Sequence, residues 1–132
     1  MNRYALALVV LSLGACATNE KDDRITTAIE DFVVVSDLEG VKMIRSYQRF
    51  ESRALNDRYV IVYTKKDYYL LFYSQRCRVN YDMPRRPDLR EDPYAIYADS
   101  GTFRGCRIEA LYSITGAQAL ELAQLGRAPG EG

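Results

Sequence analysis

"RYVIVYTKKDYYLLFY" occupies residues 58–73, and its reading decides the fold. Arg58–Thr64 and Asp67–Tyr73 are rich in β-branched and aromatic residues, and the polar pair Lys65-Lys66 separates them. Two such runs around a short polar break form a β-hairpin. Neither run alternates cleanly between apolar and polar, so the hairpin is predicted to lie at the centre of a sheet covered on both faces.

Upstream, Asn56-Asp57 supplies turn chemistry, and Val41–Arg45 with Tyr47–Glu51 make one long strand or two short ones. Ser36-Asp37-Leu38-Glu39-Gly40 reads as a turn. Ile25, Ala28, Ile29 and Phe32 lie at helical spacing, and Thr27-Ala28-Ile29-Glu30 fits a capping box. These predict a short helix near 25–32, with the β-branched Val33-Val34-Val35 open between helix and strand. Residues 17–24 are polar without periodicity and read as a tether.

Downstream, residues 83–93 hold three of the four prolines among dense charge, which marks an exposed loop. Ala95–Ala98 forms a short strand, and Thr102 to Ile114 another. Its Cys106, Ile108, Ala110, Tyr112 and Ile114 alternate with Arg107, Glu109, Leu111 and Ser113 and are assigned to one core face. Thr115-Gly116-Ala117-Gln118 is a second capping box, opening a helix that runs through Leu125 and ends at Gly126. The class is α+β: a small antiparallel sheet of about five or six strands, with a short helix near each end. A partly closed barrel is the alternative closure of that sheet. One domain spans 25–128, and 129–132 is a tail.

The first fifteen residues carry Arg3 and then an uncharged apolar run, Tyr4 to Leu13. This is the charged start and short apolar core of a secretory signal. It is too short to span about 30 Å of hydrocarbon as a helix. Leu13-Gly14-Ala15-Cys16 is similar to a bacterial lipobox, in which the leader (1–15) is cut before a diacylated Cys16, leaving 16–24 as lipidated cysteine and tether. The alternative is ordinary cleavage after Ala15, leaving a free thiol. Two or three acyl chains anchor a protein durably, whereas one does so only reversibly. Ala17, where an aspartate would signal retention, resembles the pattern sorted to the outer membrane. The expected location is its periplasmic face, with membrane lipid as the first partner.

The chain has 132 residues, 18 Lys and Arg against 18 Asp and Glu, 11 Tyr, and neither Trp nor His. That balance argues against nucleic acid as a partner. Without His there is no Ser/His/Asp triad, Cys/His pair or His-based metal site, and a non-catalytic protein without a cofactor is expected. With Cys16 assigned to lipid, Cys77 and Cys106 remain as an even pair in an oxidising compartment, which reads as a disulfide. A redox-active pair or two-thiolate metal site is the alternative, disfavoured by the wide spacing and the lack of C-x-x-C.

The order of lipobox, "DRYVIVYTKKDYYLLFYSQRC" (57–77), "FRGCRIEALYSIT" (103–115) and a short terminal helix resembles the proteobacterial lipoproteins grouped as domain of unknown function 6491. The likeness covers roughly residues 25–125. It implies a lipid-anchored envelope protein with a structural Cys77/Cys106 pair, and it brings no catalytic residues.

Arg76, Arg78, Arg85, Arg86, Arg90, Arg104 and Arg107, with Tyr81, Tyr94 and Tyr97, form the candidate binding surface. Guanidinium groups beside aromatic rings suit a glycan, an anionic headgroup or a protein partner. The bland reading is edge-strand charge and packing tyrosine. Tyr63, Tyr68, Tyr69 and Tyr73 read as cross-strand packing pairs. Asp88, Glu91 and Asp92 interleave with Arg85, Arg86 and Arg90, so a self-paired loop is favoured over a cation or acid/base site; Asp99–Thr102 is a turn. The expected function is a non-catalytic binding or accessory factor acting on an envelope protein or glycan. The alternative is a hydrolase inhibitor or small-ligand carrier working through the 83–93 loop.

Overall fold

The computed structural model describes residues 17–77, 92–99 and 101–126, with side chains from Glu20 onward. The elements are α1 (Ala17–Val35), β1 (Glu39–Gly40), β2 (Met43–Arg45), β3 (Glu51–Ala54), β4 (Tyr59–Tyr63), β5 (Tyr68–Tyr73), β6 (Ala95–Tyr97), β7 (Thr102–Phe103), β8 (Cys106–Ile114) and α2 (Gly116–Leu125). The expected hairpin is β4–β5, antiparallel, with Tyr63 opposite Tyr68 and Tyr59 opposite Phe72. Its turn is closed by Thr64, whose N–H donates to the Asp67 carbonyl at 2.9 Å and whose hydroxyl accepts from the Asp67 N–H at 3.2 Å. The main sheet runs β1-β8-β5-β4-β3, with β7 attached to β8, and stays open with β1 and β3 at its edges. The α+β class holds.

The hairpin is apolar on both faces because the sheet is the middle of three layers. Tyr59, Ile61 and Leu70 point to a core with Ile29 of α1 and Ala119, Leu122 and Ala123 of α2. Val60, Val62, Leu71 and Tyr73 point the opposite way, to a core with Ile44, Ile96, Ile108 and Leu111. The first layer is the helix pair. The second cover is a two-stranded ribbon in which β2 pairs antiparallel with β6, Ile44 opposite Ile96. Alternating residues on a strand serve opposite faces, so one hairpin supplies both cores.

Helix α1 is longer than its periodicity suggests, and the tether expected at 17–24 is its first two turns. The Thr27 box does not cap. With the upstream residues helical, the Thr27 hydroxyl donates to the Asp23 carbonyl one turn back at 3.0 Å. Asn56 holds this extension from the sheet side, its side-chain amide donating to Thr26 Oγ1 at 2.7 Å. The valines stay helical because a Schellman closure follows them: Asp37 takes φ 47°, Leu38 N–H donates to Val33 O and Asp37 N–H to Val34 O, both at 3.2 Å. Leu38 then packs against the helix-side core.

The single strand expected over 102–114 is instead a tight hairpin, β7–β8. Arg104 and Gly105 both have positive φ, 50° and 81°, the two-residue turn whose twist matches flanking strands. Further along β8 the register against β5 shifts, Phe72 facing Ala110 while Tyr73 faces Ile108. That bulge reverses the alternation, so the single core face assigned to 106–114 divides. Cys106 and Ile108 join the ribbon-side core, and Tyr112 and Ile114 the helix-side core.

Helix α2 starts as expected: Thr115 Oγ1 accepts from the Gln118 N–H at 3.1 Å, and Gln118 Oε1 from the Thr115 N–H at 2.9 Å. It ends at Gly126, where an added Cβ would lie 3.1 Å from the backbone of Leu55, so the helix end approaches the sheet closely. Among the described residues no helix is long and apolar enough to cross a membrane.

Candidate functional site

Cys77 and Cys106 are bonded, with 5.8 Å between their Cα atoms. Cys77 is buried in the ribbon-side core, and its N–H donates to the Asp57 carbonyl at 2.7 Å. Cys106 opens β8 and is half-buried. The bond therefore ties the chain just after the central hairpin to the start of the next strand over.

Beside it lies an open cleft of about 420 Å³, lined among the described residues by Ser74, Gln75, Arg76, Gly105, Cys106 and Arg107. The disulfide and the β7–β8 turn bring Arg76 and Arg107 together. Arg76 also reaches α1, its Nη2 lying 3.1 Å from Asp23 Oδ1. Arg107 is exposed, and the exposed Arg104 leans its guanidinium over the Phe103 ring at 5.7 Å. Arg78, Tyr81, Arg85, Arg86 and Arg90 lie outside the described residues, as do Cys16 and all of the 83–93 loop but Asp92 and Pro93.

Tyr94 and Tyr97 sit elsewhere, on the ribbon. A second cleft of about 470 Å³ is lined among the described residues by Arg45, Ser46, Tyr47, Asp92 and Tyr94, none of which lines the arginine cleft. Its walls are fixed by backbone: Ser46 N–H donates to the Tyr94 carbonyl, and the Asp92 carboxylate accepts from the Tyr94 N–H, each at 2.8 Å. Alternation along β2 buries Ile44 and turns Met43 and Arg45 outward, and Met43 stands opposite Tyr97. The result is an outward face carrying Met43, Tyr94 and Tyr97, each more than 40 % exposed, beside a fully exposed Tyr47. Sequence reasoning placed Met43, Arg45 and Tyr47 in strands without a role. The alternation of Met43-Ile44-Arg45 was the available signal, but which face was outward depended on a partner strand about fifty residues away.

Of the four tyrosines expected to form cross-strand pairs, Tyr63 and Tyr68 do so. Tyr63 and Tyr68 stack with centroids 6.0 Å apart, Tyr69 meets Phe50 edge-on at 6.5 Å, and Tyr73 is buried. Tyr59 stacks on Phe72 at 4.7 Å, with the Arg58 guanidinium 4.6 Å from the Phe72 centroid. Burial first, and the negative charge of Glu30 second, push the Tyr59 phenol well above its ordinary value. Burial, then Asp67, raises Tyr69. A raised folded-state value stabilises the neutral form, so this stability is complete below the unfolded phenol value near pH 10 and is lost as pH climbs through the folded value. Above about pH 10 the urea midpoint should fall, by up to about 1.4 kcal/mol of stability per pH unit for one such group. Tyr59→Phe should flatten part of that fall, and an unchanged slope would remove Tyr59 as its source.

Among the described residues no cluster of three or more Cys, Asp or Glu is placed to hold a metal ion. No family model, curated protein or solved structure matches the chain.

Proposed function

We propose that this is a lipid-anchored protein of the cell envelope that works by binding, held at the periplasmic face of the outer membrane through acylated Cys16. Its partner is an envelope protein, engaged by the ribbon face. The observation that supports this reading is the exposed set Met43, Tyr47, Tyr94 and Tyr97 around a cleft with Arg45 and Asp92. Tyrosine, methionine and arginine are the residue types enriched where proteins meet, because rigid or adaptable apolar area is joined to a polar handle. The anchor rests on the order of leader, small residues and cysteine in 1–16, and on the resemblance of residues 25–125 to lipoproteins of domain of unknown function 6491.

Two measurements on the whole chain in a bacterial envelope check the two halves. Cys16→Ser should abolish incorporation of labelled palmitate, and unchanged labelling would overturn the anchor. A photo-crosslinking residue at Tyr47 should give one discrete protein adduct that the same residue at Lys66, in the hairpin turn, does not. Identical adducts at both positions, or a glycan adduct at Tyr47, would overturn the protein-binding reading.

A further inference from the structure

The geometry points to a second contact with the membrane: the end of the domain that carries Arg104 and Arg107 docks on anionic phospholipid headgroups. This rests on the proposed lipidation of Cys16, which sets the end of the fold that faces lipid. A flexible tether would let the domain stand off the bilayer at any angle. Among the described residues helix α1 already runs from Ala17, the residue that follows Cys16 in sequence, which leaves little chain for such a tether. The anchor is thus attached to a helix whose Ile25, Ile29, Phe32 and Val33 are built into the core.

That attachment decides which end of the molecule faces lipid. Asp23 is seven residues past Cys16, or about 10 Å along a helix axis, and it is bridged to Arg76 at 3.1 Å. Arg76 shares its cleft with Gly105, Cys106 and Arg107. The β7–β8 turn therefore lies on the side of the fold where α1 begins. At the opposite end lie the β4–β5 turn with Lys65 and Lys66, and the junction of β8 with α2.

Among the described residues, Arg104 and Arg107 stand at the anchored end beside Glu109, two places along β8, and leave a net positive charge there. On the first turns of α1, Glu20, Asp22 and Asp23 are balanced by Lys21, Arg24 and the bridging Arg76. Asp57 and Arg58 are adjacent and offset each other. Arg104 and Arg107 are both exposed and make no ion pair among the described residues. The turn carries Arg104 beyond the disulfide, and Arg107 lies on β8 just after Cys106, opposite Thr102. A guanidinium suits a lipid phosphate because it can donate two parallel hydrogen bonds.

The test omits the anchor, so its failure is separate from that of the palmitate experiment. Among the described residues both cores are built between Ile25 and Leu125, all of which residues 17–132 retain. Residues 17–132 are sedimented with vesicles of phosphatidylcholine alone or mixed with phosphatidylglycerol, at low and high salt. Binding should require phosphatidylglycerol and disappear at high salt. Each arginine near an anionic surface is worth about fivefold in partitioning, so Arg104→Gln with Arg107→Gln should lower it roughly twenty-fivefold. Lys65→Gln with Lys66→Gln, at the far end, should leave it unchanged. Equal binding to both vesicles, or equal loss from the lysine and arginine pairs, would overturn the docking surface.

Discussion

Replacing Cys77 and Cys106 together by alanine should lower the free energy of unfolding by about 3–4 kcal/mol, the value chain entropy assigns to opening a loop of this size. The two cysteines are 29 residues apart, and the loop includes the charged, proline-containing segment. Without the bond the unfolded chain gains the corresponding freedom. Cys77 also contributes packing, since it is 5 % exposed beside Ile108 and Ile44. For a domain of about a hundred residues the melting temperature should fall by roughly 15–20 °C. Thermal unfolding of the oxidised protein, the reduced protein and the double variant checks this. Reduction and double substitution should give similar curves, and a loss below about 1 kcal/mol would show that the fold does not depend on the bond. Palmitate labelling should be untouched in the double variant, because the cysteine proposed to carry lipid is Cys16.

Leu70→Ala should cost about 2–5 kcal/mol, the range for truncating a fully buried leucine where the cavity only partly collapses. Leu70 is 0 % exposed on β5, with Ile61 opposite it on β4 and Tyr112 on β8, and both helices cover it. Leu71, its neighbour, is equally buried but faces the ribbon. The pair separates the two layers. Hydrogen exchange in Leu70→Ala should rise first in α1 and α2, whereas Leu71→Ala should loosen β2 and β6. If either substitution loosened both covers equally, the two cores would be one cooperative unit.

The local grammar of this chain was largely legible. The hairpin followed from two β-rich runs around Lys65-Lys66, and α2 followed from the reciprocal cap of Thr115 and Gln118. The Cys77–Cys106 bond followed from compartment and parity. Each depends on neighbours in sequence or on counting, and so survives without knowing the fold. Where local signals misled, a tertiary contact had outweighed them. Thr27 looked like a cap, but Asn56 and the core supported helix upstream of it, and its hydroxyl turned back to Asp23. Arg104-Gly105 looked like strand until their positive φ values folded β7 onto β8. The bulge in β8 marked the sequence only through Leu111, an apolar residue at an outward place in the alternation that the structure buries in the ribbon-side core.

The candidate surface shows the same division most clearly. The residue types were visible in the sequence, but as one group of arginines and tyrosines near the cysteines. Pairing of β2 with β6 moved Tyr94 and Tyr97 onto the ribbon beside Met43, Arg45 and Tyr47, while Arg76 and Arg107 stayed with the disulfide. Sequence by itself determined the central hairpin, the second helix and the cysteine pair, because these are short-range patterns with their own chemistry. Only the tertiary structure decided which faces were outward and which end carried the arginines, because strand pairing at long separation depends on burying both sides of the sheet at once.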